Sequence, residues 1–332
     1  MGSKIAKIEY YLPEQILDNK RLSEDFPDWT PEKIEQKIGI RERHIVGENE
    51  TSLDLAYKAG EKVLSGTNVK EIDFLLLCTQ SPDYFLPTSA CILQDSLKLR
   101  TNIGAFDYNL GCSGYIYGLA IAKSLINSGI ARKVLLIMSE TYSKYIHAKD
   151  KANKTLFGDA AAATLIEYDE VECIHEFQLG TDGQGMNNLI VPNGGMRHRY
   201  DPHCEEVADG SGSIRTANNL FMNGPEIFNF TIRNIPPLIT EVLQKNNETI
   251  ETIDYIIFHQ ANKYMLDYLR QKMKIPPEKF FNNMLETGNT VSATIPIGIC
   301  KAKENGLIHK GSRILLCGFG VGYSWGATVI TL

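Results

Sequence analysis

Ile72-Asp73-Phe74-Leu75-Leu76-Leu77-Cys78 and Ile253-Asp254-Tyr255-Ile256-Ile257-Phe258-His259 are two versions of one phrase, a short continuous apolar run with a polar residue at its end. Continuous apolar runs of strand length, separated by helices, indicate a sheet covered on both faces. Each phrase leads into a helix-like segment, residues 88–99 in the first case and 262–273 in the second.

The correspondence continues outward from these two stretches. Gly111-Cys112 opens a segment that passes through a helix to a strand at 133–138. Gly288-Asn289 opens a similar one, through 296–305 to a strand at 313–317. Ala162-Ala163-Thr164-Leu165-Ile166 is echoed by Ala327-Thr328-Val329-Ile330. The order strand, helix, strand, helix, strand, strand therefore occurs twice, a long-period internal repeat. It predicts an α/β protein of two similar halves, residues 1–180 and 181–332, with the change-over in the polar, Gly-rich region 180–212. Ligands of open α/β sheets sit beyond the C-terminal ends of the strands. In a pseudo-twofold arrangement Cys78 and His259 become equivalent, as do the turns carrying Cys112 and Asn289. Cys112, His259 and Asn289 can then meet at one cavity although they are distant in sequence.

Composition narrows the functional classes. The chain has 332 residues, 43% hydrophobic and 22% charged, with a net charge of −6. That balance argues against nucleic acid as the main partner, since phosphate binding needs a basic surface. Apolar runs such as 134–138 are too short to span a membrane, and the N-terminus runs into a strand-like segment with no apolar signal core. A cytoplasmic protein is expected. Seven cysteines, an odd number without a C-x-x-C pair, fit a reducing compartment. Cys173, His175, His198, His203 and Cys204 match no zinc spacing, and no metal is expected there.

Cys112 lies in Phe106-Asp107-Tyr108-Asn109-Leu110-Gly111-Cys112-Ser113-Gly114-Tyr115, where an apolar strand turns abruptly into a helix. A thiol at a helix N-terminus faces unpaired N–H groups and the positive end of the dipole, which favour thiolate. The alternative is an inert buried cysteine in a strand–helix turn. His259, after an apolar strand, can point into a cleft. Asn289, in Glu286-Thr287-Gly288-Asn289-Thr290, reads by itself as a turn and cap residue. Gly318-Phe319-Gly320-Val321-Gly322-Tyr323-Ser324-Trp325-Gly326 suits a tight turn whose N–H groups face a ligand. It lacks the pattern of a phosphate loop and lies between two strands.

Six motifs in order carry a family resemblance: Gly39-Ile40-Arg41-Glu42-Arg43-His44, Leu110-Gly111-Cys112-Ser113-Gly114, Phe157-Gly158-Asp159-Ala160-Ala161-Ala162, His259-Gln260-Ala261-Asn262, Gly288-Asn289-Thr290, and the Gly-rich stretch to Gly326. Nearly end to end, the chain resembles the β-ketoacyl-acyl carrier protein synthase III family of thiolase-like condensing enzymes. The resemblance implies the thiolase-like fold, two pseudo-symmetric α/β halves in a five-layered αβαβα core, and a homodimer. It also implies a Cys–His–Asn catalytic set. By that resemblance Cys112 takes an acyl group from an acyl-CoA or acyl–carrier protein donor. His259 and Asn289 bind the thioester carbonyl of a malonyl–carrier protein, and the N–H groups of Cys112 and Val321 form the oxyanion hole. The product is a 3-oxoacyl–carrier protein, and neither a metal nor a redox cofactor is implied.

Several positions depart from the family pattern. The tryptophan that stacks on coenzyme A in relatives aligns with Lys33, four residues after Trp29. Arginines that meet its phosphates are replaced by Lys37 and Lys151, and another arginine by Tyr264. Lysine lacks the bidentate geometry of arginine, which favours a carrier-protein donor over coenzyme A. Carrier contacts are expected from Lys37, Lys151, Asn262 and Lys263, with Lys149 and Lys154 in the same basic surface. Leu86 aligns with a phenylalanine that ends the acyl pocket across the dimer in straight-chain enzymes. The main competing expectation is an acyltransferase or thioesterase that passes the acyl group from Cys112 to an alcohol, amine or water. A non-catalytic partner subunit and an HMG-CoA synthase-type condensation are further alternatives, the first opposed by retention of all three catalytic side chains, the second by the lack of a recognisable glutamate base.

Overall fold

The computed structural model describes residues 2–210 and 212–332. One sheet contains β1 (Gly2–Tyr11), β2 (Phe74–Cys78), β3 (Gly104–Tyr108), β4 (Lys133–Glu140) and β5 (Ala160–Asp169), in the spatial order β1-β5-β4-β2-β3. The other contains β6 (Ile174–Thr181), β7 (Tyr255–Phe258), β8 (Arg313–Gly320) and β9 (Ser324–Thr331), ordered β7-β8-β9-β6. Strand directions repeat as well. β4, β2 and β3 run parallel, as do β7 and β8, while β4–β5–β1 and β8–β9–β6 are antiparallel.

The two opening stretches do the same job at atomic level. The Asp73 N–H donates to the Lys133 carbonyl at 2.9 Å, and the Asp254 N–H to the Arg313 carbonyl at 3.0 Å. Each carboxylate returns a bond: Asp73 Oδ2 accepts from the Arg132 N–H at 2.8 Å, and Asp254 Oδ2 from the Arg313 N–H at 2.7 Å. An aspartate thus pins the start of each apolar run, setting Phe74 opposite Val134 and Tyr255 opposite Ile314.

Because side chains alternate across a strand, each run feeds two layers. Leu75 and Leu77 pack with α1 (Ser52–Leu64) and α2 (Ser89–Ser96) on the outside. Leu76 and Cys78 pack with α3 (Gly114–Asn127) at the centre. In the second sheet Ile256 and Phe258 face outward to α4 (Gly224–Lys245) and α5 (Lys263–Lys272). Tyr255 and Ile257 face inward to α6 (Thr294–Glu304). Helices α3 and α6 touch both sheets, so the layers run αβαβα as the resemblance implies.

The repeat differs from its sequence reading in four places. A helix precedes the first apolar strand in each half, α1 before β2 and α4 before β7, and neither belonged to the expected pattern. The second strand of the later half is reduced to a single parallel bridge, Ile256 with Phe280. Pro276-Pro277 before it and Asn282-Asn283 after it leave too few ladder-forming residues. The expected helix 296–305 starts earlier, at Thr294, which puts Pro296 in the first turn where its missing N–H costs nothing. Finally, β6 pairs with β9, so the chain changes sheet between Asp169 and Ile174 rather than after residue 180. Among the described residues no helix is long and apolar enough to cross a membrane.

Candidate active site

Cys112 stands between the end of β3 and the first turn of α3, in a turn closed by the Gly114 N–H donating to the Gly111 carbonyl at 2.8 Å. The side chain is buried, at 6% exposure. The N–H groups of Val321 and of Cys112 itself are directed at its sulfur. The expectation of a stabilised thiolate is nevertheless overturned. Enclosure pushes the thiol up to about 12, outweighing the Val321 N–H, and the buried Glu140 carboxyl acts in the same direction as burial. The glycine-rich turn serves close approach: a Cβ at Gly320 would stand 2.9 Å from Cys112 Sγ. The Ser113 and Ser324 hydroxyls, 2.6 Å apart, tie the two turns together.

His259 follows β7, and its N–H extends the strand ladder to the Cys317 carbonyl at 2.7 Å. Burial lowers the imidazole to about 3, so it is neutral at physiological pH. Nδ1 lies 2.7 Å from the Thr294 hydroxyl. The ring meets Phe319 edge to face at 5.8 Å, and Phe319 precedes the glycine that touches Cys112.

Asn289 is also buried. Its Nδ2 donates to the Ala261 carbonyl at 3.2 Å, two residues beyond His259, and its Oδ1 accepts from the Val291 N–H at 2.9 Å. That bond holds Val291 at φ +54°, a conformation costly for a β-branched residue. Asn289 is therefore more than a cap, because the helix after it starts only at Thr294. Its backbone is gripped on both sides, its N–H donating to the Leu156 carbonyl at 2.9 Å and its C=O accepting from Gly158 at 3.0 Å.

Two family motifs build this platform and take no part at the sulfur. Arg43 is fully buried and donates to the Leu17 carbonyl, Asn19 Oδ1 and the Thr155 carbonyl; burial lowers its guanidinium to about 10. Asp159 accepts from the N–H groups of Val46 and Ser143, each at 2.9 Å, and from the Ser143 hydroxyl.

The carrier candidates divide. Lys37 and Lys151 lie over the same indole, Trp29, at 5.5 and 5.2 Å from the ring centroid. The aromatic residue beside those cations is thus Trp29, and Lys33 instead donates to the Asp28 carbonyl. Lys149, Lys154 and Lys263 are paired with Glu206, Asp25 and Asp267. Asn262 caps α5, its Oδ1 accepting from the Met265 N–H at 2.8 Å, and exposed Tyr264 rests against Phe228.

Leu86, 82% exposed, follows exposed Tyr84 and Phe85 at the rim of a cavity of about 1080 Å³. The catalytic candidates do not line that cavity; Val321 and Gln80, next to the Cys112 turn, do. Sequence reading missed Thr294, Gln80, Asn109 and Tyr142. Their one shared signal is position, the last three lying just beyond the ends of β2, β3 and β4.

The chain is similar to known proteins over its whole length. The 3-oxoacyl-[acyl-carrier-protein] synthase III model matches residues 106–183, and its C-terminal model matches residues 243–332. The β-ketoacyl-[acyl-carrier-protein] synthase III of Clostridium perfringens is 38% identical over 334 residues, covering 100% of this chain and 99% of its own. That of Caldanaerobacter subterraneus is 38% identical over 323 residues, covering 96% and 95%. A crystal structure of a 3-oxoacyl-(acyl-carrier-protein) synthase III superposes with a TM-score of 0.98 at 47% identity, covering 100% of both chains. A 3-oxoacyl-(acyl-carrier protein) synthase of Burkholderia xenovorans superposes at 0.92 with 36% identity, covering 100% of this chain and 94% of that one. With this likeness sustained over the whole length, the chain belongs to the 3-oxoacyl-[acyl-carrier-protein] synthase III family and has its thiolase-like fold.

Proposed function

We propose that the protein catalyses decarboxylative condensation of an acyl thioester with a malonyl–acyl carrier protein. Cys112 Sγ attacks the acyl thioester and the carrier leaves as its thiol, taking the proton that Cys112 gives up. The malonyl carboxylate then departs as carbon dioxide, and the electron pair of the broken C–C bond becomes an enolate. That carbanion attacks the acyl–Cys112 carbonyl. Collapse of the tetrahedral oxyanion expels the cysteine sulfur, which takes up a proton and leaves a 3-oxoacyl–carrier protein.

The observations that support this reading are two buried side chains, His259, which is uncharged, and Asn289, tied to the His259 turn through the Ala261 carbonyl. With them stands a buried sulfur faced by two backbone N–H groups and touching the glycine that follows Phe319, against which the His259 ring packs. Enolate formation concentrates charge on the thioester oxygen, where donors fixed in advance act most strongly. Removing one such donor costs roughly 3–4 kcal/mol of barrier. For His259 to donate from Nε2, Nδ1 must be the acceptor, which the Thr294 hydroxyl at 2.7 Å can satisfy. The N–H groups of Cys112 and Val321 serve the tetrahedral oxyanion. Transfer of the acyl group to an alcohol, amine or water has no need of Asn289 and is not favoured.

Lys37 and Lys151 are assigned to the phosphates of the incoming carrier, beside Trp29. Both lack an ion-pair partner among the described residues. The exposed run Tyr84-Phe85-Leu86 and the open edge of β3, where Phe106 is exposed, support a homodimer.

The roles separate by variant. Cys112→Ala should still release carbon dioxide from malonyl–carrier protein while making no condensation product, whereas Asn289→Ala should lose both. Condensation by Cys112→Ala would sink the proposal.

A further inference from the structure

The cavity beside Cys112 is walled largely by apolar groups, Leu189, Ile190, Val191, Leu220, Leu86 and Val321. At one end, however, three polar side chains form a relay. The Tyr142 hydroxyl donates to Gln80 Oε1 at 2.5 Å, and Gln80 Nε2 donates to Asn109 Oδ1 at 2.8 Å. All three line the cavity. They come from just beyond the C-terminal ends of β4, β2 and β3, three neighbouring strands, which is where open α/β sheets present their ligands.

The relay is held in place. The Gln80 N–H donates to Glu140 Oε1 at 2.9 Å, and its carbonyl accepts from the Tyr145 hydroxyl at 2.8 Å. Tyr142 is buried, its ring against Phe157 at 5.3 Å. The relay also sits close to the nucleophile. A Cβ at Gly111, the residue before Cys112, would stand 2.6 Å from Gln80 Oε1, and the Cys112 sulfur lies near enough to bear on the Tyr142 phenol.

Its hydrogen-bonding capacity is only partly used. One N–H of Gln80 and both side-chain N–H bonds of Asn109 have no acceptor among the described residues, and the Tyr142 oxygen accepts from none. A plain alkyl chain laid against these groups would strip them of water and offer nothing in return. Pockets that place a few polar groups in an apolar wall use them to select a matching substituent.

We infer that Gln80, Tyr142 and Asn109 select an acyl group with an oxygen function, a hydroxyl or carbonyl, a few atoms from the thioester, over the unsubstituted alkyl chain of equal length. The inference rests on acylation of Cys112 as proposed above. It concerns which acyl group is carried, and the bond-making steps are unchanged.

The test is single-turnover acylation of the full chain, followed by intact mass, with butyryl, 3-hydroxybutyryl and 4-hydroxybutyryl thioesters. Each is presented on coenzyme A and on acyl carrier protein. At least one hydroxylated donor should acylate Cys112 at least tenfold faster than butyryl, and Tyr142→Phe and Gln80→Leu should each bring that ratio towards one. A ratio between donors is read within one preparation, so partial loss of folded protein does not disturb it. Butyryl transfer as fast as that of both hydroxylated donors, or a ratio unmoved in both variants, would overturn the inference. Absence of acylation from every donor would instead overturn the reading on which it rests.

Discussion

His259 Nδ1 and the Thr294 hydroxyl are 2.7 Å apart, and the same hydroxyl lies 3.0 Å from the Val291 carbonyl. One hydroxyl proton cannot serve both acceptors, so the His259 tautomer depends on whether Thr294 donates to Nδ1 or to the Val291 carbonyl, which also faces the imidazole. Replacing it with valine removes the donor at nearly constant volume. Thr294→Val should lower malonyl decarboxylation roughly ten- to a hundredfold, while Thr294→Ser retains most of it. Acylation of Cys112 should be little changed in both. Equal loss of the two half-reactions would mean that Thr294 acts through packing alone.

The depressed basicity of His259 has a consequence for stability. In the unfolded chain the ring titrates near its ordinary value of 6.5, whereas in the fold burial lowers it to about 3. Between those values the unfolded state binds the extra proton, so stability falls as pH falls. From pH 7 to pH 5 this one group should cost about 2 kcal/mol. Denaturant melts of wild type and His259→Gln at both pH values should show the wild type losing that much more. Parallel losses would place the imidazole in a more polar setting than the structure gives it.

Cys112 should be a slow nucleophile in the resting enzyme. With its thiol pushed up to about 12 by burial, alkylation by iodoacetamide should rise close to tenfold per pH unit through pH 8 to 10, without a plateau. A plateau below pH 8 would show that the helix N-terminus prevails over burial after all.

Gly320 tests how closely the glycine-rich turn must approach. An alanine Cβ would sit 2.9 Å from both Cβ and Sγ of Cys112, and the overlap should cost about 1–3 kcal/mol of stability. Gly320→Ala should therefore impair acylation more than Gly306→Ala impairs it, although Gly306 carries the more demanding φ of +69° and has open space around it. Indifference of acylation to Gly320→Ala would mean that the sulfur can move aside freely.

Much of this was legible in the chain because the repeat preserves chemistry as well as pattern. Asp73 and Asp254 stand at the same place in the two opening stretches and make the same pair of bonds, to Lys133 and to Arg313. Continuous apolar runs gave strands covered on both faces, since their alternate residues serve two layers. Strand loss around Phe280 was hidden because Phe280-Phe281 is apolar enough to read as strand, while the flanking prolines and asparagines decide its length. The state of Cys112 was misread for a different reason. Its local sequence displays the helix start but not the enclosure, to which the close approach of Gly320, about two hundred residues away, belongs. Similarly, Gln80, Asn109 and Tyr142 are unremarkable one by one, and only strand order brings them together.

The most direct test of the central claim follows acyl–Cys112 through one turnover. The full chain is charged with an acyl donor that its mass shows to occupy Cys112, freed of donor, and mixed with malonyl–carrier protein. The bound acyl group should disappear as carbon dioxide and 3-oxoacyl–carrier protein appear in equal amounts, and Asn289→Ala should remain charged. Discharge of the acyl group without carbon dioxide release, or at the same rate in Asn289→Ala, would contradict decarboxylative condensation at this site.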